Sequence, residues 1–406
     1  MSILIQSILI KFLAILLTLY IACIIVFFQN YINITYIVNF MLISTYTILM
    51  LVNREKKYKV NKIINIYALF IVLGLASSFW AIDSYEASFR TLQLFLILIN
   101  MFIMYNLSNK YHMQYTFLNG ILLASLINYL IVLGIVQVPF EIILPGGGMR
   151  FMGTLGNPNV LAIVMLISIL ASSIYLNNKD KINKILYYYQ YINITLALYI
   201  IVLSVSKKGI IAGSLFVLFF IVFSMKNLQG IIRLGTLFVL GLVLLFYFID
   251  MNYVFEHYER VMIRFNSAID AGTGTGISSS TEIRKNLILS GLDVIQERPL
   301  FGYGLANFRF VSFNGQYAHN NYIEVFANVG FIGGIIFYAM YFYVIQTVIR
   351  MINKNLKYIF LFFLIVFLVM DLAVVSYNSK HLLFTLLFIY IFAEKDSKYR
   401  KERVNG

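Results

Sequence analysis

Charged residues are scarce in this sequence. Asp, Glu, Lys and Arg make up 12% of its 406 residues, against roughly 25% in soluble domains. Hydrophobic residues make up 61%, which is more than a soluble fold can bury. About twelve membrane-spanning helices of about 20 residues would use about 240 residues, close to the whole hydrophobic content. The composition excludes a soluble enzyme, a disordered chain and a nucleic-acid-binding domain with a membrane tail. It predicts an all-α polytopic membrane protein.

Cysteine is almost absent as well. The single cysteine, Cys23, lies inside the first apolar run, so the chain has no disulfide framework and no Cys/His cluster spaced for zinc. We therefore expect no metal ion and no cofactor. The apolar runs also lack the alternation of apolar and polar residues that transmembrane β-strands show.

Apolar runs between polar segments predict about twelve transmembrane helices. The chain then divides into nine spans (1–250), a large extracytoplasmic loop (251–318), three further spans (319–394) and a basic tail (395–406). The first span after the loop, at 319–349, is over-long and is expected to begin as a loop or a re-entrant piece. The predicted spans lie near residues 8–28, 34–52, 63–80, 89–107, 116–138, 159–177, 186–206, 209–225, 232–250, 319–349, 358–377 and 380–394.

The positive charge is distributed unequally across this topology. Most Lys and Arg residues fall in loops on one side, whereas the short loops on the other side contain Arg90, Arg150, Lys207, Lys208 and Lys380. By the positive-inside rule the richer side is cytoplasmic, and so are both termini. The net charge of +14 therefore indicates membrane orientation, and we expect no nucleic-acid partner.

The large loop is a natural place for function because it is too long for a bare linker. Apolar residues at helical spacing over 254–269 predict either a helix on the membrane surface or one packed on the helix bundle. Ser279 and Glu282 form a capping-box pattern that starts a second helix, which runs to about Arg298.

Individual cations in the outer loops could bind an anion. Arg284 lies in the first turns of that second helix, where the helix dipole disfavours a cation unless an anion is bound. Its planar guanidinium suits phosphate; a salt bridge to Glu282 or contact with a lipid phosphate is the alternative. Arg150 is another outer cation. Lys207 and Lys208 stand where the seventh span turns into the eighth, and both could instead extend to the lipid headgroups.

A candidate base and two acids lie nearby in the predicted topology. His319 leads from the outer loop into a helix, with Glu324 close behind. The ordinary pKa of histidine is near neutrality, which suits a general base, although an interfacial histidine without a catalytic role is the alternative. Asp371 lies deep in an outward-running span, where an acid is costly and hence a functional candidate. A structural partnership with Lys380 or a buried hydroxyl is its alternative.

These segments resemble motifs of the O-antigen ligase and Wzy-type polysaccharide polymerase superfamily, over nearly the full chain. His319 and Asn320, followed by nine residues, Gly330 and then Gly333, resemble the family's His-Asn and Gly-x-x-Gly signature. Arg284 matches the arginine of its Arg-x-x-x-Leu motif, although isoleucine replaces the leucine.

Three further segments are similar to the same family. Residues 297–308 (ERPLFGYGLANF) resemble its Glu-x-Pro-Leu-x-Gly-x-Gly element, and residues 153–159 (GTLGNPN) resemble the motif before the sixth span. The SVSKKG segment resembles a Ser-Arg-Gly-like turn, with Lys207 where the family usually has arginine. This substitution keeps the charge and loses the bidentate fork.

The resemblance implies a metal-independent, inverting GT-C-type glycosyltransferase at the outer face of the bacterial cytoplasmic membrane. Its donor would be an undecaprenyl-diphosphate-linked oligosaccharide. Arg284, with Lys207, would hold the diphosphate, and His319 would remove the proton from the acceptor hydroxyl. Further candidates for the diphosphate are Arg150 and Lys208, and supporting candidates near the histidine are Asn320, Glu324 and Asp371.

The acceptor separates two versions of this function. A polymerase transfers the glycan to another lipid-linked repeat, whereas an O-antigen ligase transfers it to a lipid A core or another acceptor. High Ile, Asn, Lys and Tyr usage indicates an AT-rich genome, which is common among Gram-positive bacteria that lack lipid A. This favours a capsule or exopolysaccharide polymerase, for which we expect a flippase and a chain-length regulator as partners. A secondary transporter or flippase is the alternative of another class. It would be expected to show two related halves, and the sequence has no internal repeat.

Overall fold

The computed structural model describes residues 2–27, 32–52, 59–136, 141–143, 149–178, 183–224 and 279–405. The span predicted at 232–250 and the amphipathic segment predicted at 254–269 lie outside these residues. The described part of the chain is predominantly α-helical and contains one two-stranded antiparallel hairpin.

The helices and strands are labelled in chain order. They are α1 (Ser2–Val26), α2 (Ile32–Val52), α3 (Lys62–Ser77), α4 (Ser84–Tyr111), α5 (Gln114–Val132), β1 (Glu141–Ile143), β2 (Met149–Phe151), a 3-10 turn (Gly153–Leu155), α6 (Pro158–Asn177), α7 (Lys184–Leu203), α8 (Lys207–Ser224), α9 (Ser279–Glu297), α10 (Phe308–Val311), α11 (Asn321–Ile349), α12 (Lys354–Asp371) and α13 (Lys380–Asn405).

Every predicted span other than 232–250 falls on one of these helices. Among the described residues, seven helices are long and apolar enough to cross a membrane: α1, α2, α4, α5, α6, α7 and α11. The prediction of a polytopic helical membrane protein is therefore confirmed. The total of twelve spans stays a prediction. The predicted start of a helix at Ser279 is confirmed, and this helix ends at Glu297, just before Pro299.

The chain forms two compact units. The first contains the described parts of Met1–Leu49 and Tyr115–Thr273, and the second those of Met50–Gln114 and Gly274–Gly406. In the first unit, α6 packs against α7 and α8. In the second, α11 is central and packs against α3, α9, α12 and α13.

Asparagine side chains set the start of several helices. The first turn of a helix leaves backbone N–H groups without an intrahelical partner, and an Asn side chain at the N-cap accepts from them. This geometry occurs at the starts of five helices: α3, α6, α7, α11 and α12. Their N-cap residues are Asn61, Asn157, Asn183, Asn320 and Asn353.

Helix α11 is interrupted at Gly330, whose φ of 65° and ψ of −172° are non-helical. A backbone of this kind is essentially restricted to glycine. The amide of Phe331 donates to the carbonyl of Pro299 at 2.7 Å, and that of Ile332 donates to the carbonyl of Leu300 at 3.3 Å. The over-long span predicted at 319–349 is therefore a helix that starts at Asn321 and breaks where another segment contacts it.

Candidate functional site

His319 lies in a tight turn just before α11. Its φ of 52° is left-handed, a conformation that is uncommon for non-glycine residues but enriched in His, Asn and Asp. Its ring lies against the ring of Tyr317, with centroids 4.0 Å apart. Asn320 caps the helix by accepting from the amides of Tyr322 at 2.9 Å and Ile323 at 3.2 Å. The position of the histidine is thus defined by a turn and a cap.

Glu324 supports the other side of this turn. Its side chain is buried, with the residue 4% exposed. Oε2 accepts from the amide of Ala318 at 2.7 Å, and Oε1 accepts from Asn328 Nδ2 at 3.2 Å. The oxygen of Asn328 in turn accepts from the amide of Phe308 at 2.7 Å. Glu324 therefore anchors the residue that directly precedes His319.

A charged cluster lies close to Glu324, and sequence reasoning did not assign it to the site. Arg309 Nη2 lies 3.2 Å from Glu86 Oε2, and Arg90 Nη2 lies 3.4 Å from Glu86 Oε1. Arg90 also donates to Gln93 Oε1 at 2.8 Å. Both arginines are close enough to interact electrostatically with Glu324. The i, i+4 spacing of Glu86 and Arg90 on a capped helix is the sequence signal that could have identified half of this cluster.

Two tyrosines outside the helices report on the electrostatics around the histidine. Burial raises the pKa of Tyr317, the guanidinium of Arg284 opposes this shift, and the carboxylate of Glu324 adds to it. Burial also raises the pKa of Tyr377, with a further contribution from Glu324. Arg284 therefore acts on the phenol whose ring contacts His319.

Arg284 is exposed in the first turns of α9. One turn further along the helix, Leu287 is fully buried, and Ile288 packs on the same apolar cluster. That cluster includes residues of α11 and of the segment before it. The isoleucine that replaces the family's leucine thus serves as a packing residue, and Arg284 and Lys285 remain exposed.

The segment between α9 and α10 runs against α11. The amide of Tyr303 donates to the carbonyl of Ala327 at 3.0 Å, and that of Gly304 donates to the carbonyl of Asn328 at 2.8 Å. Gly302 has a φ of 65°, and a Cβ there would collide with the backbone at Ala327 and Asn328. Gly302 and Gly304, in the 297–308 segment, therefore allow its backbone to lie directly against the backbone of α11 at Ala327 and Asn328.

Asp371, at the end of α12, is 1% exposed. Its Oδ2 accepts from Asn321 Nδ2 at 3.1 Å and from the hydroxyl of Tyr338 at 3.2 Å. The oxygen of Asn321 accepts from the amides of Ser376 at 2.8 Å and Tyr377 at 2.9 Å. A tyrosine hydroxyl is therefore among its partners, and Asp371 contacts the first residue of α11.

The first unit contains a second group of candidate residues. Arg150, on β2, is 9% exposed. Its Nε donates to the carbonyl of Ser204 at 3.0 Å, and its Nη2 donates to the carbonyl of Val205 at 3.3 Å and to Asn159 Oδ1 at 3.4 Å. The hydroxyl of Ser206 donates to the same oxygen of Asn159 at 3.0 Å. Two sequence motifs, at 153–159 and at the SVSKKG turn, therefore meet around one guanidinium.

Lys207 and Lys208 are the first two residues of α8, and both are partly buried. The hydroxyl of Ser206 accepts from the amide of Gly209 at 3.3 Å. Val205 has a φ of 47°, and the left-handed conformation costs an ordinary residue about 1–2 kcal/mol. The turn places two cations at the N-terminal end of a helix, where amide groups and the helix dipole also favour an anion.

The structure thus divides the expected residues between its units. The second unit brings together His319, Asn320, Glu324, Asp371 and, through Tyr317, Arg284. The first unit brings together Arg150, Lys207 and Lys208. The residues that sequence reasoning missed are Glu86, Arg90, Arg309 and Asn321.

A comparison with known families gives one match. Residues 192–338 match a family model described as O-antigen ligase. The matched range includes both lysines of the SVSKKG turn, Arg284 and His319. No curated protein matches the chain.

Proposed function

We propose, from the match of residues 192–338 to the O-antigen ligase family, that the chain polymerises polysaccharide at the outer face of the bacterial cytoplasmic membrane. It is a multi-pass membrane protein of a family that acts on lipid-linked oligosaccharides. In this proposal it transfers an undecaprenyl-diphosphate-linked glycan to a hydroxyl of another lipid-linked repeat unit.

His319 is the proposed general base. It removes the proton from the acceptor hydroxyl as the oxygen attacks the anomeric carbon of the donor. The bond between that carbon and the diphosphate oxygen breaks, the diphosphate leaves with the lipid, and the configuration inverts. The observation that carries this assignment is the fixed position of the histidine, because Glu324 holds the residue before it and Asn320 caps the helix after it.

The leaving group acquires negative charge as the glycosidic bond breaks. A positioned guanidinium stabilises this charge in the transition state. Arg284 suits the role because it is exposed and acts electrostatically on Tyr317, whose ring contacts His319. We propose a metal-independent reaction in which cationic side chains offset the charge of the diphosphate.

Lys207 and Lys208 are proposed to bind a diphosphate as well. Their assignment rests on the chemistry of the turn: two cations adjoin the first amides of α8, and amides and cations together favour a phosphate group. Lysine provides a point charge without the fork of arginine, so these residues contribute charge more than orientation.

The test uses purified protein in lipid nanodiscs with a lipid-linked repeat unit as sole substrate. Asn also tolerates a left-handed backbone, so His319→Asn removes the base and keeps the turn. We expect His319→Asn to lower the transfer rate by about 100-fold or more with an unchanged melting temperature. Arg284→Ala should lower it strongly, whereas Lys285→Ala, the matched control on the same exposed face, should not. Long polymer from well-folded His319→Asn protein would overturn the proposal.

The choice of acceptor separates polymerase from ligase. A polymerase makes long products from lipid-linked repeats alone. An O-antigen ligase makes a product only when a lipid A core or an equivalent acceptor is added. Product that depends on the added acceptor would replace the polymerase assignment with the ligase, and it would leave the roles of His319 and Arg284 intact.

A further inference from the structure

We infer that Arg150 is a positioning residue, which holds the turn of residues 204–206 in the conformation that presents Lys207 and Lys208 to the lipid diphosphate. This inference rests on the proposed function of the two lysines. It assigns to them the contact with the diphosphate, and it assigns to Arg150 an action on the protein backbone.

The contacts of Arg150 are the first observation. The guanidinium donates to two successive backbone carbonyls, of Ser204 and Val205, and to the side chain of Asn159. A planar fork can satisfy two such acceptors at once, which a single ammonium group does less well. Only 9% of Arg150 is exposed, and its hydrogen bonds link the turn of residues 204–206 to Asn159 of the motif at 153–159.

The backbone of the turn is the second, independent observation. Val205 is β-branched and left-handed, with a φ of 47°, a combination that is a genuine outlier. Such a conformation persists only where the surroundings impose it. Arg150 binds the carbonyl on each side of the Val205 α-carbon, and the hydroxyl of Ser204 accepts from the amide of Ser206 at 3.3 Å. These contacts hold the outlier in place.

The position of the lysines follows from this turn. Val205 ends the turn after α7, Ser206 caps α8, and Lys207 and Lys208 come next in the chain. If residue 205 relaxed to a right-handed or extended conformation, the start of α8 would rotate and the two ammonium groups would be displaced. Loss of Arg150 should therefore weaken binding of the diphosphate through the lysines.

The test measures the dissociation constant of undecaprenyl diphosphate for the full-length protein in nanodiscs, together with the KM for the lipid-linked donor. We expect Arg150→Lys, which keeps the charge and loses the fork, to raise both values by about tenfold or more. The control Arg350→Lys, at an exposed helix end, should change neither. Wild-type values for Arg150→Lys would overturn the inference, because the two hydrogen bonds from the guanidinium to the carbonyls of Ser204 and Val205 would then be unnecessary for binding.

A second substitution distinguishes positioning from direct contact. Glycine adopts the left-handed conformation without strain, so Val205→Gly in the Arg150→Lys background should recover binding by about fivefold or more. If Arg150 contacted the diphosphate itself, Val205→Gly would recover nothing, and this outcome would overturn the inference. Melting temperatures are measured beside binding, because glycine at a left-handed position also stabilises the fold; recovered binding in double-variant protein that melts at the same temperature as Arg150→Lys supports positioning.

A double-mutant comparison gives the same distinction. With both lysines replaced by methionine, Arg150→Lys should cause no further loss of binding. A further tenfold loss would show a direct contact and overturn the inference. If replacement of the lysines leaves binding unchanged, the proposed function of the turn fails and the inference fails with it. If binding depends on the lysines and not on Arg150, only the inference fails.

Discussion

Asp371 accepts a hydrogen bond from the side-chain nitrogen of Asn321 at 3.1 Å, and this contact links the end of α12 to the start of α11, two residues after His319. The same asparagine accepts from the amides of Ser376 and Tyr377. A buried acid in a membrane protein is by default a functional candidate. Its hydrogen bonds here also fix the helix that follows the histidine.

This contact predicts how Asp371 tolerates substitution. Asp371→Asn keeps an oxygen that can accept from Asn321 and Tyr338, so we expect the transfer rate to stay within about threefold of wild type. Asp371→Leu removes the acceptor of the buried Asn321 and of the partly buried Tyr338 and should lower the free energy of unfolding by about 1–3 kcal/mol. Thermal melting and transfer assays measure the two effects. Loss of all function in a well-folded Asp371→Asn protein would instead indicate a proton carrier, as in a transporter.

The support of His319 by Glu324 predicts a loss of rate without a loss of fold. Glu324→Gln can still accept from the amide of Ala318, but its new amide group faces Asn328 Nδ2, which is itself a donor. Asn328 cannot simply turn over, because its oxygen accepts from Phe308. We expect transfer to fall by about tenfold, equivalent to about 1.4 kcal/mol. A transfer rate equal to that of wild type would show that the turn before the histidine needs no such anchor.

The break in α11 predicts a large difference between two glycine substitutions. A Cβ at Gly330 would collide with the backbone of Leu300 and Phe301, in a backbone conformation reserved for glycine. Gly330→Ala should therefore lower the free energy of unfolding by at least about 1–3 kcal/mol. Gly213→Ala is the matched control, since a Cβ at this position of α8 would meet only side chains of α7 at ordinary contact distances and alanine favours a helix by about 1 kcal/mol. Melting curves in detergent should separate the two variants, and equal stability would contradict the observed break.

The buried tyrosines predict a loss of stability at high pH. The pKa values of Tyr317 and Tyr377 are raised in the folded protein, whereas in the unfolded chain tyrosine ionises near about pH 10. Above that pH the unfolded state binds fewer protons than the folded state, so stability falls as the pH rises. Tyr377→Phe should make this fall less steep, by up to about 1.4 kcal/mol per pH unit. Melting temperatures between about pH 8 and 11 measure it, with the exposed Tyr188→Phe as control; identical slopes would contradict the prediction.

Much of the local structure was predictable because it depends on near neighbours in the chain. Within the described residues the apolar runs coincide with helices, and Ser279 starts α9 as its capping-box pattern predicts. The sequence also marks the segment that begins at His319 as unusual, because its apolar run is too long for one span. The reason for its length, a break at Gly330 where Pro299 and Leu300 bind the helix, involves residues from another part of the chain.

The charged cluster near Glu324 was not predictable for a related reason. Glu86 and Arg309 are far apart in the sequence and meet only in the folded chain. Arg90 was interpreted as one of a few outer cations, and its interactions with Glu86 and Glu324 add a role that charge counting does not detect.

The sequence by itself determined that this protein lies in a membrane, and it predicted a chemistry that depends on a few placed cations and a histidine, because hydrophobic content and motif spacing are properties of the chain alone. Only the tertiary structure decided how those groups are held. Val205 and His319 both adopt left-handed conformations, which are uncommon for residues other than glycine. Contacts made in the folded chain hold them: Arg150, far away in the sequence, holds the turn at Val205, and Glu324, in the first turn of α11, anchors the turn at His319.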